Sequence, residues 1–359
     1  MTPSKTATAS TPPDVQFGYR RLVLGSDGFH TVLHLRAVLV AVGFALFIIV
    51  LAAAALMNGD YELTLAQVIA VLNGSDDGLA RTVVLDWRLP RILAAILLGG
   101  ALAVSGAIFQ TLTRNPLASP DIVGLSHGAF TGMLLTVLAF GTSWALMATG
   151  AVAGGVLAAL AIYMISYRGG IQGFRFIIVG IAISAMLASV NTWILLQVEL
   201  ETAMFASAWG AGTLNAVTPE QVNGAALAIL VLFVAIATLA PALRQLDLGD
   251  DAAAALGLRL GRVRLFAILI GVGLVCVATA VAGPVAFVAL AAPQIAQRAA
   301  RTPYLPLVLS ALAGGAILLG SDFIAQHLLP HPLPVGVVTV VVGGAYLVWA
   351  IIAEIRKRA

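Results

Sequence analysis

Few residues in this chain have the type and spacing to do chemistry, and those that do point to contact and movement rather than to bond making. Arg88 and Arg91 stand three apart, on one face of a helix, where two guanidinium groups can meet carboxylates. Ser184 and Asn191 stand seven apart and share a helix face, so they can line a wet cavity or hydrogen-bond to a neighbouring helix. Pro293-Gln294 sets an amide side chain directly after a residue that bends or interrupts a helix. Asn115-Pro116-Leu117 ends a helix, since proline disfavours helix at the residue before it. Gly249, Asp250, Ala253, Leu256 and Gly257 mark a short unit: Ala252 to Leu256 favours helix, acids precede it, and a glycine follows where a helix stop belongs.

The commoner catalytic constellations are missing from the sequence. No G-x-x-x-x-G-K-[ST] loop is present, so the chain is not expected to hydrolyse ATP and is not read as an enzyme. No H-E-x-x-H or C-x-x-C occurs, so neither a metal site nor a cofactor is expected. His327 and His331 are read as solvated side chains, and Cys276, alone in an apolar run, as a small core residue. Proton and ion relays use acids within membrane spans. Here Asp322 is the one candidate, with a structural hydrogen-bonded acid as its plainer reading.

The elements that must position these residues follow from composition. Of 359 residues, 60% are hydrophobic and 10% charged, and mean hydropathy is +1.03. A water-soluble domain carries about 25% charged residues. The chain therefore reads as an all-α polytopic membrane protein, since in lipid each span must satisfy its own backbone. Ten spans of roughly twenty residues are expected: Leu35–Met57, Leu89–Thr111, Ile122–Phe140, Trp144–Tyr167, Phe176–Val198, Pro219–Leu243, Val263–Ala282, Pro284–Ala299, Leu305–Leu329 and Leu333–Glu354. The eighth is short and holds Pro293, which makes it bent or incompletely spanning. Small residues at Ala52 to Ala55 resemble a cleavage site, but the first run is long enough to be a retained span.

Residues 1–34, rich in Ser, Thr and Pro, are expected to be a disordered cytoplasmic tail, and residues 35–359 the ten-helix transmembrane domain. With both termini in the cytoplasm, all of the 19 basic residues except Arg81, Arg88 and Arg91 fall on the cytoplasmic side. The net charge of +3 is thus a matter of topology, and no nucleic-acid partner is implied. Thr64 to Leu72 is expected to form a surface helix outside, and residues 243–262 the longest cytoplasmic loop.

Three stretches carry a specific resemblance: RLPRILAAILLGGALAVSGAIFQTLTRNPLASPDIVGLSHGA from Arg88 to Ala129, LGDDAAAALGLRLGRVR from Leu248 to Arg264, and Gly283 to Thr339 with GPVAFVALAAPQIAQR and LPVGVVT. Together they resemble the FecCD-type permease subunits of bacterial iron–siderophore and cobalamin ABC importers. The resemblance implies a multi-pass protein of the bacterial cytoplasmic (inner) membrane. It also implies a second permease subunit, a sister or a second copy, with two cytoplasmic ATPase subunits and an external substrate-binding protein. The Pro293-Gln294 form, where many members have Pro-His, resembles the ferric-enterobactin branch, so a catecholate siderophore is the expected cargo. Gln326 stands where many members carry an arginine, and Ala345 where many carry a proline.

The resemblance also implies roles. Arg88 and Arg91 would dock the binding protein, against a plainer reading as interfacial anchors. Gly249, Asp250, Ala253, Leu256 and Gly257 would form the ATPase coupling helix. Asn115, Pro116 and Leu117 would lie by the cytoplasmic gate, with Ile171 to Phe174 as a second gate candidate. Ser184, Asn191, Pro293 and Gln294 are possible pathway residues, although hydrogen bonding between helices is the preferred reading of their polar groups. The competing functions are a cobalamin or haem importer permease and, in another class, a secondary transporter.

Overall fold

The computed structural model describes residues 21–24, 31–75, 78–121, 124–166, 173–215 and 217–358. The first twenty residues of the expected tail and residues 171–172 of the second gate candidate lie outside them, as do Ile122 and Tyr167 at the edges of expected spans. In the segment for which the sequence predicts no element, β1 (Arg21–Leu24) pairs antiparallel with β2 (Thr31–His34), Arg21 opposite His34. The apolar, partly β-branched runs LVL and TVL suit a paired strand. Every other described element is helical.

The helices are α1 (Leu35–Met57), α2 (Leu65–Leu72), α3 (Leu79–Arg81), α4 (Leu89–Thr113), α5 (Leu125–Phe140), α6 (Trp144–Ser166) and α7 (Gly173–Gln197). They continue as α8 (Leu200–Gly210), α9 (Pro219–Leu246), α10 (Asp250–Ala255), α11 (Leu260–Ala282), α12 (Val288–Ala300), α13 (Leu307–Phe323) and α14 (Val335–Arg358). Among the described residues, seven helices are long and apolar enough to cross a membrane, while Leu125–Phe140 and Val335–Ala350 are apolar but shorter. The second expected span begins earlier than the sequence suggested. A π-helical turn, Thr82–Arg88, joins α3 to α4 in one run of 35 residues. The eighth starts later, at Val288, because Pro284 to Ala286 lie outside any helix and Phe287 takes a left-handed backbone (φ 68°). Its 13 residues make only about 20 Å of helix, too short for a hydrocarbon core of about 30 Å. Helix α8 has no counterpart among the expected elements.

Helix α2 shows how local sequence fixes an element. The Thr64 hydroxyl accepts from the Gln67 N–H while Gln67 Oε1 accepts from the Thr64 N–H, a complete capping box. Helix α4 is the centre of the bundle. In its most apolar stretch 83% of residues are buried, against 6% for α1, which faces outward. It packs on α9, α11, α12 and α13. Contact is backbone to backbone: a β-carbon at Gly106 would run into the carbonyl of Ala289, and one at Gly99 into that of Gly314. Where lipid gives no hydrophobic drive between helices, such close packing is what joins them.

Candidate functional site

Two clusters of charged residues sit at opposite ends of α4. Arg91 and Arg114 are separated by nearly the whole helix, about 35 Å at 1.5 Å per residue.

At the Arg91 end, the two arginines singled out from the sequence are both engaged inside the protein. Arg91 donates Nε to one Asp322 carboxylate oxygen at 2.7 Å and Nη2 to the other at 2.6 Å. Its Nη1 reaches Asn215 Oδ1 at 2.8 Å. One guanidinium thus ties α4 to α13 and to the turn before α9. The Asp322 side chain is only 7% exposed and that of Arg91 20%, so the fork is largely shielded from water. Arg88 donates to the backbone carbonyls of Leu56 and Tyr61, each at 2.7 Å, and holds the end of α1 and the loop beyond it. Both arginines line an open depression of about 300 Å³, with Asp60, Trp87, Asp322 and Gln326 on its wall. Asp322 therefore serves as an ion-pair partner, consistent with the structural alternative for that residue.

At the other end, α10 stands out as a six-residue helix between two left-handed glycines, Gly249 (φ 109°) and Gly257 (φ 85°). No atom lies within 4 Å of a β-carbon built at either, so the backbone angle alone selects glycine there. The Gly257 N–H bonds to Ala254 O, and the Leu258 N–H to Ala253 O at 3.0 Å, which closes the helix end. Ala253 is fully buried against the bundle, whereas Leu256 is 61% exposed. Asp250 points back into the protein. It accepts from Arg264 Nη2 at 2.7 and 2.8 Å and also from Arg114 Nη2. Burial opposes ionisation of Asp250, but Arg264 and Arg114 outweigh it and hold the carboxyl below its usual range.

Arg114 is the left-handed cap of α4 (φ 50°) and immediately precedes the Asn115–Pro116–Leu117 turn. In that turn Asn115 Oδ1 accepts from the Leu117 N–H at 2.9 Å, and Leu117 is exposed. The chain then turns inward through buried Ala118 and Ser119. Asp121 accepts from the hydroxyls of Ser126 at 2.9 Å and Ser119 at 3.3 Å, and from the Phe287 backbone N–H ahead of α12.

The remaining singled-out residues form hydrogen bonds between helices. Ser184 Oγ lies 3.1 Å from His127 Nδ1. The Asn191 amide accepts from Thr131 at 2.7 Å and donates to the His127 carbonyl at 3.3 Å, so α7 is fastened to α5. Gln294 donates to buried Gln110 at 2.7 Å, and Gln110 in turn donates to Leu290 O at 3.1 Å, joining α12 to α4 beside Pro293. Sequence reasoning missed Arg114, Arg264, Asp121, Gln110 and His127 as partners. Arg114 and Arg264 carried one available signal, since each adjoins a segment already singled out.

Comparison with known proteins places the chain as a whole in a wider set. The FecCD transport family matches residues 46–353. The chain is 45% identical over 304 residues to the ferric enterobactin transport system permease protein FepG of Escherichia coli (strain K12), covering 84% of this chain and 92% of that protein. It is 34% identical over 324 residues to the permease protein FepD of the same system, covering 88% and 96%. A solved structure described as an inward-facing conformation of a metal-chelate type ABC transporter has the same fold. Its TM-score is 0.78 at 24% identity, over 88% of this chain and 99% of that one.

Proposed function

We propose, because the chain belongs to the FecCD transport family, that it is the membrane permease subunit of an ATP-driven importer of iron–siderophore complexes. The observation that carries this reading is the continuity of the likeness, which runs from α1 into α14 and includes both charged ends of α4. The ferric enterobactin relatives make a catecholate ferric siderophore the proposed cargo. Two permeases of one system resemble this chain, and unequally, which supports pairing with a distinct sister permease.

In this reading the chain crosses the cytoplasmic membrane ten times, the eighth crossing made by residues 284–287 together with the short α12, and both termini are inside. Arg114, Arg244, Arg259, Arg262 and Arg264 gather at the Asp250 end, which supports a cytoplasmic placement. One of two ATPase subunits then meets α10 through Leu256, and the ATPase pair supplies the hydrolysis that this chain has no loop to perform. The depression around Arg88 and Arg91 faces outward, and an external binding protein docks across it. A charged rim there steers encounter.

The test is reconstitution of the permease with its sister subunit, ATPases and binding protein in liposomes. ATP-dependent uptake of radioiron-labelled ferric enterobactin is expected. Preferred uptake of a ferric hydroxamate or of cobalamin would overturn the catecholate assignment, and uptake driven by a proton gradient without ATP would overturn the ABC reading. Cysteines placed at positions 251 and 356 in a Cys276→Ala background report orientation: labelling from outside would reverse it.

A further inference from the structure

The Asp250 carboxylate joins three elements that are far apart in sequence: its own helix α10, the end of α4 through Arg114, and the start of α11 through Arg264. Arg114 adds a longer contact, Nη2 to Leu246 O at 3.4 Å, at the end of α9. The two arginines are not equivalent. Arg264 lies in the helix that follows α10 and is only 13% exposed, so it fixes α10 to the bundle. Arg114 is half exposed at 48% and occupies a left-handed backbone position between α4 and the Asn115–Pro116–Leu117 turn. A non-glycine residue held there is strained, and its surroundings must offset that strain. Asp250 is the charged partner that does so.

This geometry has a mechanical consequence. When α10 is displaced as a unit, Asp250 moves with it, since its backbone lies in the helix. Arg114 follows through a charge-assisted bond, which is the strongest tie it makes. The residue that moves is the one from which the turn begins, and the turn's own hydrogen bonds are all local: Asn115 N–H to Gln110 O, Leu117 N–H to Asn115 Oδ1 and Ala118 N–H to Asn115 O, with Leu117 exposed. We infer that Arg114 is a positioning residue for transport, which carries displacement of α10 to the Asn115–Pro116–Leu117 turn by way of Asp250. This inference rests on the proposed contact between α10 and an ATPase subunit, and it adds the route by which that contact reaches the membrane pathway.

The experiment uses the reconstituted importer, with radioiron-labelled ferric enterobactin as cargo. Arg114→Gln keeps a hydrogen-bonding side chain but removes the charge. ATPase subunits should still co-purify and hydrolyse ATP, while cargo delivered per ATP falls roughly tenfold, the size of effect that residues along a coupling route produce. Arg114→Lys, which keeps the charge without the fork, should give an intermediate yield. In a Cys276→Ala background, Leu117→Cys should change its maleimide reactivity with the nucleotide bound to the ATPases, and Arg114→Gln should abolish that change. Wild-type cargo per ATP in both Arg114 variants, or nucleotide-dependent labelling that survives Arg114→Gln, would overturn the relay. Should Arg114→Gln fail to assemble, the Arg114→Lys yield and its labelling decide the question alone. Failure of the underlying reading looks different: Leu256→Asp would then leave both ATPase recovery and uptake at wild-type levels.

Discussion

Arg91 grips both oxygens of Asp322, a residue 231 positions further along the chain, and the pair fixes the ends of α4 and α13 side by side. Guanidinium and carboxylate planes match in such a fork, so the geometry is specific as well as favourable. An arginine committed in this way has little charge left to offer a visiting protein. The docking role proposed for this face therefore falls more on the shape of the depression and on Arg88 than on Arg91 itself.

Removing either partner of that fork should loosen the helix ends. Asp322→Asn and Arg91→Gln are each expected to cost about 2 kcal/mol, since one charge is left partly buried without its counter-ion. The double variant should cost clearly less than the two losses added together. Thermal unfolding of the detergent-solubilised protein measures this cycle, and strictly additive losses would show that the residues act separately.

Arg88 separates charge from structure. It holds two backbone carbonyls, which a lysine cannot span in the same way. If its charge steers the binding protein, Arg88→Lys keeps most of the affinity, whereas Arg88→Gln loses about two- to fivefold at low ionic strength. Equal affinity of wild type and both variants in dilute salt would leave Arg88 as an internal staple only.

Leu256→Asp puts a charge on the most exposed large side chain of the α10 unit without touching a span. The protein should insert, fold and bind its external partner, yet lose ATPase co-purification or lose uptake while hydrolysis continues. ATPase recovery and cargo uptake are measured side by side in the same membranes.

Two glycine substitutions should fail for different reasons. Gly257→Ala meets no atom within 4 Å, so its cost is backbone strain alone, about 1 kcal/mol, and should appear as weaker coupling in a folded protein. Gly106→Ala would drive a methyl group into the Ala289 carbonyl and should reduce the yield of folded protein severely. Size-exclusion profiles and uptake, compared between the two variants, separate these outcomes; a monodisperse Gly106→Ala would contradict the close packing of α4 on α12.

The apolar runs were legible because a span announces itself by length and hydropathy, and each expected span contains a helix. The capping box at Thr64 and the stop at Gly257 were likewise local signals. Three boundaries were not. The π-helical turn at Thr82–Arg88 reads as ordinary helix or loop, Phe287 takes a left-handed backbone that no local residue type demands, and α8 is amphiphilic in no regular way. At the sites, the residues that matter most in each cluster were partly visible, but their partners were not. Arg91 and Asp322, like Arg114 and Asp250, meet only because helices distant in sequence pack together, and no spacing rule within a segment carries that information. For Ser184, Asn191 and Gln294, polarity on an apolar face was visible, while the partners His127, Thr131 and Gln110 came from the packing.

The burial of α4 has a consequence for how the protein is made. Its glycine faces are matched by α12 and α13, which begin at Val288 and Leu307, long after α4 ends at Thr113. At a synthesis rate of about 5–20 residues per second, that interval lasts roughly 10 to 40 seconds. During it the most enclosed helix of the finished bundle must wait in the insertion machinery or in lipid with its grooves open. Folding of the centre is thus postponed until the last fifth of the chain emerges, and any chain that stalls before Leu307 carries an unfilled seam that a membrane protease could recognise.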